Sequence, residues 1–192
     1  MKSKFWPLFL ALLIGPHSLI WAQSNQLQIE SFKTSGNGCP AGTYTWLLSG
    51  DRQTLEILFN NFTAQRPGQP TKSCNVSLDV AVPPGHAVSW YRTEHRGFVD
   101  TTGGATGEFS ARYFLQGAGG FDTEKNQSWQ PNSVEDYLII NDNPSSSWSR
   151  CGGKQKMSVH TQLKIKGGDG MLSLDSESHR AETVLHFAFK PC

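Results

Sequence analysis

The sequence predicts an all-β protein, an antiparallel β-sandwich of about seven to eight strands with two disulfides. Three observations predict this class. Short runs of alternating apolar and polar residues recur along the chain, turn residues separate them, and no segment shows a long helical period. The four cysteines, all in the part of the chain that we expect to be exported, supply the two disulfides.

Residues 1–22 have the pattern of a secretory signal peptide. Lys2 and Lys4 give a positive start, the apolar core FWPLFLALLIG follows, and the segment ends on the small residue Ala22. We therefore expect cleavage after Ala22 and a secreted protein, extracellular or periplasmic. We expect residues 23–192 to form one domain, with no transmembrane segment after cleavage.

The charge of the exported part argues against a nucleic-acid partner. Of the chain's 17 Lys and Arg residues, Lys2 and Lys4 leave with the signal peptide, so 15 face 16 Asp and Glu. The resulting formal charge is about −1, and the two signs are interspersed along the chain rather than gathered in a basic stripe.

The first predicted hairpin spans residues 43–59. Residues 43–48 and 55–59 each place alternate apolar side chains on one face, and SGDRQ between them supplies the turn. The next strand, 77–82, ends at PPG because a central strand cannot continue through two prolines.

Later strands are predicted from the same alternation. Residues 88–99 and 109–115 are interpreted as a strand pair joined across TTGGATG, and residues 183–189 as the last strand. Residues 157–165 give the most regular pattern, with Ser158, His160, Gln162 and Lys164 on the wet face. Residues 117–150, rich in Asn, Ser and Pro, are predicted to form a long surface loop around the short apolar run 137–140.

The cysteines are Cys39, Cys74, Cys151 and Cys192. Their wide spacing does not suit a structural zinc site, and Cys39 lies too far beyond Ala22 to be a lipid anchor. Four cysteines allow three connectivities, and sequence alone leaves them open. We predict the local pairs, Cys39 with Cys74 and Cys151 with Cys192, because each would tie a chain end to the sandwich.

Four segments together resemble a known secreted family. They are GNGCPAGT, CNVSLDVAVPPGHAVSWYRTEHRGFVD, WSRCGGKQKMSVHTQLKI and the terminal FKPC. The combination of cysteine placement, Pro-Gly turns and an Arg-Gly-aromatic step is similar to the bacterial and fungal family catalogued as domain of unknown function 4360, over residues 31–192. The resemblance implies secretion and disulfides, and it implies no activity and no catalytic residue.

Motifs for catalysis are missing from the sequence. There is no nucleophile elbow, zinc-protease helix or phosphate-binding loop. GGDG at 167–170 lacks the aspartate that a calcium β-roll repeat needs at Leu172 and occurs once, so we interpret it as a hairpin turn. His160 and His186 alternate with apolar residues and are interpreted as surface groups. We predict no catalytic residue, no cofactor and no metal.

Three functions remain open at this stage. We favour a secreted, non-enzymatic module that binds an extracellular glycan or protein. The alternatives are a carbohydrate-active hydrolase of unrecognised type and a membrane-active, toxin-like sandwich. A hydrolase would use a carboxylate pair, for which the candidates are Glu94, Asp100, Glu108, Glu135 and Asp136.

One segment, residues 88–100, is the candidate binding surface. It mixes flat aromatic area with charged donors, as recognition sites do; the candidates are Trp90, Tyr91, Arg92, Glu94, His95 and Arg96. The alternative is an ordinary strand with its aromatics in the core and its charges in water.

Three sequons, at Asn61, Asn75 and Asn126, are candidate glycan acceptors in a eukaryotic secretory pathway. The short MKSK start favours a bacterial pathway, in which they would stay unmodified.

Overall fold

The computed structural model describes residues 26–115, 121–142, 148–174 and 182–192, and the predicted signal peptide lies outside them. Every regular element in these ranges is a strand, which confirms the predicted all-β class. The ten strands are β1 (Gln28–Ser35), β2 (Tyr44–Leu48), β3 (Thr54–Phe59), β4 (Thr63–Arg66), β5 (Thr71–Val82), β6 (His86–Leu115), β7 (Phe121–Trp129), β8 (Val134–Asp142), β9 (Gly153–Ser173) and β10 (Glu182–Pro191).

The strands form one antiparallel sheet in the order β1-β5-β9-β6-β10-β3-β2, with β4 beside β9 and with β7 and β8 beside β6. The sheet folds over itself into the two layers of a sandwich. Layer A contains β1, β5, β7 and the adjoining parts of β9 and β6 (153–166 and 105–115). Layer B contains β2, β3, β8, β10 and residues 86–100 of β6.

Strand β6 runs through both layers, so the predicted hairpin between residues 88–99 and 109–115 is wrong. The two segments belong to one strand of 30 residues. Its register with β9 shifts at three steps between Asp100 and Ala105, where Gly104 has a φ of 81° and allows the strand to bend. The glycines at 167–170 likewise lie within β9 rather than in the predicted hairpin turn.

The predicted long loop at 117–150 is also wrong in part, because it contains β7 and β8. Most described side chains of β7 are polar and exposed or half-buried, so this strand lacks the apolar alternation on which the prediction relied. The rings of Trp129 on β7 and Tyr137 on β8 lie 4.8 Å apart and close this side of the sandwich.

The opposite side closes between the terminal strands β1 and β2. The ring of Phe32 on β1 lies 5.6 Å from that of Tyr44 and 5.4 Å from that of Trp46, both on β2. Between these two seams the predicted apolar faces of β3 and β9 are buried, including Ile57 and Leu163. Burial of such side chains contributes about 2 kcal/mol each.

Both predicted disulfides are confirmed. Cys39 after β1 is bonded to Cys74 on β5, and Cys151 before β9 is bonded to Cys192 at the chain end. The first pair is buried in the core and the second is exposed.

Candidate functional site

The predicted binding segment lies in layer B, and the structure corrects its membership. Trp90 and His95 have no exposed surface and belong to the core. The reason is a β-bulge: the register shifts between His186 and Phe187 and leaves Tyr91 as an extra residue on β6. Because of that extra residue, even-numbered side chains point inward before the bulge and odd-numbered ones after it.

The outward residues of this segment form a closed ionic network. Arg92 Nε lies 2.9 Å from Glu94 Oε1, Arg96 Nη2 lies 2.6 Å from Glu94 Oε2, and Arg96 also pairs with Glu182. Burial acts to raise the pKa of Glu94, but the charges of Arg96 and Arg92 outweigh it and the pKa is lowered. These two guanidinium groups are therefore occupied by the protein's own carboxylates.

A third carboxyl, Glu56, extends the network. Burial, followed by a hydrogen bond and charge repulsion from Glu56, raises the pKa of Glu182 to about 7. The ring of the exposed Tyr91 lies 6.0 Å from that of His186 at the edge of the network. Tyr91, Arg92, Glu94 and Arg96 thus remain candidates for a surface contact, whereas Trp90 and His95 do not.

A more extensive set of polar groups covers the outward side of layer A. Glu108, Ser110 and Arg112 alternate with buried Phe109, Ala111 and Tyr113 along β6. Strand pairing aligns them with polar residues of β7, β9 and β5 in three cross-strand rows. We call this surface the polar face; it consists of Ser128, Glu108, Lys164, Thr71, Asn126, Ser110, Gln162, Ser73, Glu124, Arg112, His160 and Asn75.

Two adjoining depressions mark the polar face, with volumes of about 310 and 450 Å³. Ser110 and Gln162 line both of them. The first extends to Asn126 on β7, and the second extends to Asn75 on β5. Together they form a groove that crosses four strands and is lined by amides, hydroxyls and charged groups.

The charges in the groove are balanced and held in place. Arg112 Nη2 lies 3.2 Å from Glu124 Oε2, and Asn126 Nδ2 donates to Glu124 Oε1 at 3.0 Å. These hydrogen bonds, from Asn126 first and then Arg112, lower the pKa of Glu124 below its usual range. Lys166 Nζ lies 2.5 Å from Glu108 Oε1 at the other end of the face.

Of the carboxylates considered for a hydrolase, only the sequence neighbours Glu135 and Asp136 line one depression, and Asp100 and Glu108 line two others. Glu94 and Glu108 lie on the outward sides of different layers. Glu135 accepts a hydrogen bond from Trp129 Nε1 at 2.7 Å, and Asp100 accepts one from Thr102. Among the residues that the structure describes, no three His, Cys, Asp or Glu side chains are placed to hold a metal ion. No helix in those ranges has the length and apolar character to cross a membrane.

Sequence reasoning identified only part of the polar face. His160, Gln162 and Lys164 were correctly placed on a wet strand face, and His160 is exposed. The contributions of β7 were missed because that segment was predicted to be a loop. Two sequons, Asn75 and Asn126, also lie on this face, and their glycosylation stays a prediction.

Comparison with known proteins places the sequence in a secreted context. The family described as domain of unknown function (DUF4360) matches residues 25–192. An uncharacterized secreted protein of Arthroderma benhamiae is 26% identical over 179 residues, which cover 88% of this chain and 73% of the relative. Together with the disulfides, this relationship indicates that the protein is secreted.

Solved structures share only a distant likeness. TmCBM61 in complex with beta-1,4-galactotriose is 9% identical, with 85% of this chain and 90% of that chain covered and a TM-score of 0.34. A family 11 carbohydrate-binding module from Clostridium thermocellum, in complex with a mixed-linked tetrasaccharide, is 11% identical, with 84% and 93% covered and a TM-score of 0.24. Likeness at this level carries no argument about ligands.

Proposed function

We propose that this chain, which belongs to the DUF4360 family, is a secreted, non-enzymatic module that binds an extracellular glycan on the polar face. One observation carries the proposal: a groove across four strands in which amides and hydroxyls stand beside internally paired charges. Asn, Gln and Ser both donate and accept hydrogen bonds, as the hydroxyls of a sugar do.

The charge balance favours an uncharged polysaccharide. Glu108 and Glu124 line the groove together with Lys164 and Arg112, so it carries no large excess of either sign. A fixed charge also strengthens hydrogen bonds to a neutral ligand hydroxyl without requiring an ionic partner. The ionic network of layer B supports such a role less well because it consists of ion pairs, whereas the groove also presents the side chains of Ser110, Asn126 and Gln162.

Affinity electrophoresis tests the proposal. The protein is produced in a bacterial periplasm, where disulfides form and the sequons stay unmodified. It is then run through gels that contain neutral polysaccharides (galactan, mannan, xylan or mixed-linked β-glucan) or acidic ones (pectin or alginate). We expect at least one neutral polysaccharide to retard the wild type and expect the variant Gln162→Ala/Arg112→Ala to migrate freely.

The control keeps the same residue types on another surface. Gln53→Ala/Arg150→Ala changes an exposed glutamine and an exposed arginine outside the polar face. It should be retarded like the wild type. Free migration of the wild type in every gel, or equal retardation of both variants, contradicts the proposal.

A further inference from the structure

A second surface lies around the edge of β1 from the polar face. Asn75, which lines the groove on β5, is paired with Ser35 on β1, the terminal strand of layer A. Three residues earlier on the same strand, Phe32 lies against Tyr44 and Trp46 of β2. The groove and this aromatic cluster therefore meet at one edge strand.

The rings of the cluster are nearly parallel. Phe32 and Trp46 are inclined by 13° and Phe32 and Tyr44 by 27°, whereas the core pair Trp90 and Tyr113 is inclined by 78°. Closely aligned rings stack on one another, so Phe32 packs against one face of the Trp46 indole and the opposite face is the one left for a ligand. The same ring geometry is expected if the three residues only close the seam between the two layers. The solvent exposure of Trp46 therefore indicates whether the cluster can also contact a ligand.

Trp46 is 39% exposed, although its side chain is large and apolar. By contrast, Trp90 and Trp129, the other described Trp residues that lie on strands, are buried. Its neighbour Leu47 is 52% exposed on the other side of β2. The indole therefore adds flat apolar area at the surface that closing the seam does not require.

On the basis of the proposed function, we infer that the aromatic cluster of Trp46, Phe32 and Tyr44 forms a second subsite. A pyranose ring of the same bound polysaccharide stacks on it. A pyranose has an apolar face of C–H groups that matches a flat ring, and its rim of hydroxyls stays in water. The groove spans about 14 Å from β7 to β5 at the usual strand spacing, and Trp46 lies beyond the next strand, β1, so only a glycan longer than the groove contacts both the whole groove and Trp46. The subsite thus selects extended polysaccharide chains over short oligosaccharides.

The test compares chain lengths for the polysaccharide that retards the wild type. Affinity for its di-, tetra- and octasaccharides is measured by isothermal titration for the wild type, Trp46→Ala, Trp46→Tyr and Leu47→Ala. We expect Trp46→Ala to weaken octasaccharide binding about tenfold, a typical loss for an apolar ring contact, and to leave disaccharide binding unchanged. Trp46→Tyr, which keeps a flat ring, should recover most of the affinity, and Leu47→Ala should match the wild type.

The results distinguish the absence of the second subsite from the absence of glycan binding in the groove. Equal octasaccharide affinity for Trp46→Ala and the wild type overturns the subsite, while the groove stands if Gln162→Ala still abolishes binding. An equal loss in Leu47→Ala also overturns it, because the effect would then not be specific to the ring. If no glycan binds the wild type, the proposed function and the subsite both fail.

Discussion

His95 and Tyr113 lie 18 residues apart on one continuous strand, yet His95 Nε2 is 2.7 Å from the Tyr113 hydroxyl oxygen. Strand β6 crosses from layer B to layer A, so its two halves face each other across the core and these side chains meet there. His95 Nδ1 lies 2.9 Å from Thr183 Oγ1, so both ring nitrogens have a partner. The polar face lies on the outer side of the strand half that this contact anchors.

The buried imidazole should make the protein sensitive to acid. Burial lowers the pKa of His95 from 6.5 to about 3, so the unfolded chain takes up a proton below pH 6.5 that the folded chain does not accept until about pH 3. The free energy of unfolding should therefore decline as the pH falls from 6.5 towards 3. Urea unfolding of His95→Gln should show a smaller decline than the wild type, and His160→Gln, which changes an exposed histidine, should keep the full decline. An unaltered decline in His95→Gln would contradict this role.

Glu182 should lower the free energy of unfolding as the pH rises through neutrality. Its folded pKa of about 7 exceeds the usual 4.5, so its contribution to stability is complete below pH 4.5 and is lost as the pH rises through 7. Glu56→Gln removes the neighbouring carboxyl and should restore about 1 kcal/mol at pH 8 relative to pH 5. Unfolding curves at the two pH values check this, and Glu182→Gln should remove the dependence. A larger loss of stability at pH 8 in Glu56→Gln would refute the assignment.

Gly97 should tolerate no side chain. A Cβ atom there would lie 1.9 Å from the Ser173 carbonyl oxygen and 2.5 Å from the hydroxyl of Tyr137, which donates to that oxygen at 2.8 Å. Gly97→Ala should cost about 3 kcal/mol, because the backbone of one strand or the buried tyrosine must move. Gly50→Ala, in open space, should change stability by less than about 1 kcal/mol. Equal midpoints in thermal unfolding would show that the close approach is not required.

Substitutions of Arg96 and Arg112 should separate an effect on stability from an effect on glycan binding. Arg96 pairs with Glu94 and Glu182, whose side chains are only 12% exposed, whereas Arg112 and its partner Glu124 are both exposed. Arg96→Met should therefore cost about 2 kcal/mol and leave glycan retardation intact, while Arg112→Met should cost under 1 kcal/mol and weaken retardation. Thermal unfolding and affinity gels on both variants provide the comparison. If Arg96→Met weakened retardation and Arg112→Met did not, the results would indicate a binding site on layer B.

Individual strands could be predicted from the sequence better than the way in which the strands pair and bend. Regular alternation located β3, the end of β5 and residues 157–165 of β9, because one side of each of these segments packs on the core. The bend in β6 was not predictable by alternation, since Gly103 and Gly104 suit a turn as well as a bend. The polar strand β7 carries too little apolar signal to be distinguished from a loop.

The candidate site was harder to predict for the same reason. Trp90 and His95 were candidates for the binding surface, with a core position of the aromatics as the alternative, and the bulge at Tyr91 reverses the alternation between them and places both inside. The groove depends on Ser110, Gln162 and Asn126, which lie far apart in sequence. Their alignment follows from strand pairing, which depends on the whole sheet and not on any one segment.

The most direct test of the central claim is backbone and side-chain amide NMR of the ¹⁵N-labelled protein, titrated with the tetrasaccharide of the neutral polysaccharide that retards it most. We expect the largest shift changes at Ser110, Asn126 and Gln162, and little change around Glu94 on the outward side of layer B. Changes centred on layer B, or no change at saturating tetrasaccharide, would contradict glycan binding at the polar face.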